Sequence, residues 1–101
     1  MDFTVEPEGA GLLVKLQTAE WEANVHASTE ELLRLSDIRS ARWSERRSIS
    51  AGESAGARVY WSAGERDHAN LMIGHDDETW DVSVIVPFTI IDQIVQAARG
   101  L

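Results

Sequence analysis

The sequence has no cysteine, only two prolines and a single lysine, Lys15. Without cysteine there is no disulfide scaffold, no thiolate metal ligand and no thiol nucleophile. The scarcity of basic charge excludes more. Lysine and arginine number 9 against 17 aspartates and glutamates, a net charge of −8. A protein that wraps nucleic acid needs a basic footprint to displace counterions from the phosphate backbone, so nucleic acid is not an expected partner. Long apolar runs are missing too. The longest, at 82–86 and 88–95, are interrupted by Pro87 and Asp92. Neither approaches the roughly 18 residues that span a bilayer, so no membrane partner is expected. The opening MDFTVEPEGAG carries three acidic residues and no basic stretch leading into an apolar one. It does not read as a secretory signal, and a cytoplasmic location is the expectation.

What is present suffices for one domain over residues 1–101. With 44% hydrophobic residues and four tryptophans, a chain of this length buries roughly 60–70% of its unfolded surface. Leu12, Val14 and Leu16 alternate with more polar neighbours, as do Trp21, Ala23 and Val25. That period of two predicts a β-hairpin, with a short strand at 3–6 before it. Ser28 followed by Glu31 is a capping box, and Leu32, Leu33 and Leu35 supply the buried stripe of a short helix. Residues 38–50 carry competing periods, and an extended segment is expected from about Arg46 to Ser50. The small residues at 51–56 predict a loop.

Strands are expected at 57–62, 69–73 and 79–86. In the last, Trp80, Val82, Val84 and Val86 share one face, and apolar Ile85 on the other predicts a strand covered on both sides. Pro87, then Phe88, Ile91, Ile94, Val95 and Ala98, then Gly100, read as a helix start, apolar stripe and cap. The expected fold is α+β. It has an antiparallel sheet of about five to six strands, with one short central helix and one C-terminal helix packed on one face.

The polar residues give few chemical signatures. The turn His75-Asp76-Asp77-Glu78, with Asp81 beyond it, has the carboxylate density of a cation loop but lacks the alternating register of a calcium site. It reads better as a solvated turn in which aspartates bond their own backbone. His68 and His75 flank a strand and stand about 20 Å apart at 3.3 Å per residue, so they do not share a metal. No metal or cofactor site is predicted. Gly52-Glu53-Ser54-Ala55-Gly56 matches a nucleophile elbow in letters only, since the strand-to-helix context of a large parallel sheet is missing.

Charge is unevenly distributed. Residues 1–27 carry −4 and residues 67–101 carry −5, whereas residues 28–47 carry +1. Arg39, Arg42 and Arg46 with Trp43 form a basic, aromatic segment suited to contacting a carboxylate or phosphate. The competing reading pairs these arginines with the chain's own surplus acids. Trp21, Trp61 and Trp80 are expected in the core. Trp43, with polar neighbours, is the candidate anchor.

In size and charge the chain is similar to small bacterial accessory and toxin-neutralising immunity proteins. That similarity implies a non-enzymatic domain that docks a protein partner, a basic one by charge complementarity. The expected contact residues are Asp76, Asp77, Glu78 and Asp81, with Arg39, Arg42, Trp43 and Arg46 as a second patch. Two alternatives stand beside it. One is a metal-dependent or acid–base enzyme using His68 or His75 with Asp76 and Asp77. The other is a self-associating structural subunit, a homodimer joined by strand pairing or a shared helix face.

Overall fold

Alternating side chains build the sheet, and the chain lays its strands down in order. The computed structural model describes residues Met1–Leu101. Seven strands form one antiparallel sheet: β1 Asp2–Glu8, β2 Gly11–Gln17, β3 Glu22–Ala27, β4 Ile49–Ser54, β5 Ala57–Ala63, β6 His68–Gly74 and β7 Trp80–Pro87. Each pairs only with its neighbours in sequence. Register aligns the apolar positions into rows. Val5, Val14 and Val25 lie side by side across β1–β3, and Trp61, Leu71 and Val84 across β5–β7.

Two helices and a 3-10 segment cover one face. Helix α1 (Thr29–Leu33) starts at a complete capping box, in which the Ser28 side chain accepts from the Glu31 N–H and Glu31 accepts from the Ser28 N–H. It runs directly into a 3-10 segment, Arg34–Ser40, which continues through Ser36 and Asp37. Leu32, Leu35 and Ile38 are fully buried there. Helix α2 (Phe88–Arg99) buries the expected stripe of Phe88, Ile91, Ile94, Val95 and Ala98. All these residues join Val14, Val25, Val59 and Trp61 in a single core. No helix is long and apolar enough to cross a membrane.

The sheet has seven strands where five to six are expected from the sequence, and part of the difference lies at residues 49–54. The predicted small-residue loop is largely strand β4, with Ala51 and Gly52 buried. Small side chains are needed there because β4 lies tight against β3. A Cβ on Gly52 would stand 2.5 Å from Val25 Cγ1, and Gly52 has φ +92°, a left-handed conformation that favours glycine. Smallness reports packing at this point, not a loop.

Three further expectations change. Arg46 is not extended. It has φ 57° and ends a short 3-10 turn, Trp43–Glu45, so only Ile49 and Ser50 of the predicted 46–50 segment are strand. Ile85 is not covered: β7 is the edge of the sheet and Ile85 is 57% exposed. Trp80 is not in the core. A bulge at Ile73/Gly74 sets Val82 opposite Ile73 but Trp80 opposite Gly74, which breaks the alternation between Trp80 and Val82. Trp61 does sit in the core, fully buried, with its indole N–H donating to the Ala51 carbonyl at 3.0 Å. Trp21 is half-buried at the core's margin.

Candidate functional site

The face of the sheet opposite the helices carries its own cover. Trp61 and Ala63 point to the core, so Ser62 between them points away, as does Met72 between Leu71 and Ile73. Both are buried nonetheless. The segment 41–47 covers this side. The Ser62 hydroxyl shares its proton between the carbonyls of Arg47 (2.8 Å) and Ala41 (3.1 Å), while the Ala63 N–H donates to Ala41. The left-handed turn at Arg46 brings the Arg47 N–H back to the Arg42 carbonyl and closes the loop.

That loop presents Trp43. Its ring meets Trp80 edge to face, with centroids 5.3 Å apart, and the Arg46 guanidinium lies 4.8 Å over its face. Both tryptophans remain half-buried. Arg46, Arg47 and Asp77 line one hollow of about 360 Å³, together with Asp37 and Ser40. A second hollow, of about 440 Å³, is lined by Trp43 itself with Arg42, Glu65 and His68. Glu45 stands between Arg42 (3.4 Å) and Arg47 (3.9 Å).

Of the residues predicted to contact a partner, Arg42, Trp43, Arg46 and Asp77 therefore come together. Two patches that are far apart in sequence form one face. Asp76 has a structural duty. Its Oδ1 accepts from the N–H groups of Glu78 (2.9 Å) and Thr79 (2.7 Å), as expected for a self-bonded turn. Those backbone donors, Glu78 first, hold the Asp76 carboxyl below its ordinary pKa. Glu78 and Asp81 are exposed, and Asp81 lines two hollows on β7.

Arg39 lies elsewhere. It forms a bidentate pair with Asp92 on α2, both bonds 2.9 Å, and stacks 4.7 Å over Phe88. The Asp92 carboxyl is held below its usual range, chiefly by the Arg39 hydrogen bonds. Here the competing reading, pairing with the chain's own acids, describes the residue. Both side chains are about half exposed, so Arg39→Ala is expected to leave the urea midpoint nearly unchanged. A clear drop of that midpoint would show that the pair is more than a surface contact.

His68 and His75 lie at opposite ends of β6 and do not meet. No three His, Asp or Glu side chains converge as a metal cage. Sequence reasoning missed Trp80 as the neighbour of Trp43. A signal for the second covered face was available in Leu71-Met72-Ile73, three consecutive apolar residues within a strand. The chain matches no protein-family model, no curated protein and no solved structure.

Proposed function

We propose that this chain is a non-enzymatic binding domain of the accessory or immunity type, docking a basic protein partner. The observation that carries this reading is the Trp43–Trp80 pair, half-exposed, with Arg46 stacked on Trp43 and sharing a hollow with Asp77. Aromatic and arginine groups held in a fixed arrangement are the usual anchors of protein interfaces, since they bury much area at small entropic cost. The sign of the partner follows from charge. A surplus of eight negative charges speeds encounter with a cationic surface and disfavours an acidic one. The acid–base alternative has less support, because His75 and Asp77 are exposed and the Asp76 carboxylate is engaged by the Glu78 and Thr79 N–H groups.

Copurification from the native host at low salt, followed by mass spectrometry, supplies the partner. With that partner in hand, Trp43→Ala is expected to weaken binding at least 30-fold, the scale of an interface anchor. The Trp43→Ala chain should retain its circular dichroism, since Trp43 lies outside the main core. A chain that emerges alone and monomeric, or a partner that binds Trp43→Ala normally, would overturn the reading.

A further inference from the structure

The two edges of the sheet are built differently. Strand β1 carries Asp2, Glu6, Pro7 and Glu8, and charge with proline is how natural sheets prevent strangers from pairing. Strand β7 has one charged residue, Asp81, in eight, and its proline, Pro87, is the last residue, where α2 begins. It exposes Val82 at 46% and Ile85 at 57%, two of the chain's four exposed large hydrophobics. Alternation puts Val82 on the helix-bearing face and Ile85 on the other. An edge that shows apolar side chains on both faces is shaped for another strand, not for water.

From this we infer that β7 receives an extended, basic segment of a partner polypeptide as an eighth strand. A strand added there sets its side chains about 5 Å from those of β7, so its apolar residues cover Val82 and Ile85. On the helix-bearing face they adjoin a hollow of about 370 Å³ lined by Trp21, Ala57, Ile73, Val82 and Val84. The rim of that hollow is acidic, with Glu22 and Asp81, and it includes Asn24, whose buried Oδ1 has no hydrogen-bond partner. A cationic donor suits both features. Asp76, Asp77 and Glu78 add negative charge where β7 begins. A second copy of this chain brings eight surplus negative charges of its own, so a basic segment is the better occupant. The inference rests on the binding reading only for the occupant being a partner protein.

Three blocked nine-residue peptides test it: alternating lysine and valine, alternating glutamate and valine, and the lysine peptide with alternate backbone nitrogens methylated. Each is titrated into the 15N-labelled chain. The lysine peptide is expected to shift the amides of residues 80–86 and slow their hydrogen exchange at least tenfold. The other two should bind at least tenfold more weakly, as should the Val82→Lys/Ile85→Lys chain with the lysine peptide. Both substituted positions are exposed, and circular dichroism verifies that the variant is folded. Equal binding of the methylated peptide, shifts confined to 76–78, or no response at millimolar peptide would overturn the inference. So would self-association through β7 in sedimentation equilibrium. A copurified partner that binds Val82→Lys/Ile85→Lys at full strength but loses Trp43→Ala removes strand addition and leaves the binding reading intact.

Discussion

Trp61→Ala is expected to destabilise the protein by about 3–5 kcal/mol, the range for removing a large aromatic from a packed core. Trp61 is fully buried in β5, in a row with Leu71 and Val84 and beneath the helical layer. Its indole N–H also satisfies the Ala51 carbonyl. Truncation therefore opens a cavity and strands a buried acceptor together. Domains of this size are stable by only about 5–15 kcal/mol, so the change consumes a large part of the margin. Thermal denaturation should show a melting temperature lower by roughly 12 °C or more. Trp61→Phe separates the causes, retaining most of the volume and losing the hydrogen bond. A Trp61→Ala chain within about 1 kcal/mol of the parent would mean that the helical layer does not depend on this side chain.

Glu31→Ala is expected to cost about 2–4 kcal/mol, from the lost side-chain half of the capping box and an abandoned buried donor. One carboxylate holds three elements. Its Oε1 accepts from Ser28 at the start of α1, while its Oε2 accepts from the Gly52 N–H of β4 at 3.0 Å and faces Arg58 of β5 at 3.4 Å. Gly52 is buried, and without Glu31 its N–H loses this acceptor. Burial pushes the Glu31 carboxyl upward, but the Gly52 and Ser28 donors and the Arg58 charge outweigh it, so the group lies below the ordinary glutamate value. A depressed carboxyl contributes stability above its unfolded pKa and loses it as pH falls through the folded one. The stability gap between the parent and Glu31→Gln should therefore be full near neutrality and shrink on acidification below about pH 4, near the ordinary value. Urea denaturation across pH measures it. A gap that stays constant with pH would show that the ionised form makes no special contribution.

Much of the framework could be read from the sequence because two periodicities are strong. Leu12, Val14 and Leu16 announce β2, and Phe88, Ile91, Ile94 and Val95 announce α2. Ser28 and Glu31 announce the start of α1. The failures share a physical origin in the packing of distant segments. Ala51 and Gly52 look like a loop until β3 is laid beside them. Trp80 leaves the core through a bulge that shifts register by a residue, and such a slip changes the face of a side chain. The Arg39–Asp92 pair joins positions separated by 53 residues, a contact that no local spacing encodes. The site was half legible. Arg42, Trp43, Arg46 and Asp77 could be named from composition, but their juxtaposition depends on the left-handed turn at Arg46 and the cover over Ser62.

The neighbour-to-neighbour order of the strands also bears on how the chain reaches this state. Every pairing joins segments adjacent in sequence, so most loops that must close are short and their entropic cost is modest. Only two closures are long. Residues 28–48 must fold back before β4 meets β3, and α2 must return across the sheet to β1, where it packs. A chain emerging from the ribosome can thus assemble its strands progressively, while α2, which follows all seven strands, reaches β1 last. Until it arrives, the apolar face of β1 and β2 is without its lid, and that interval is when the nascent protein is most exposed to aggregation.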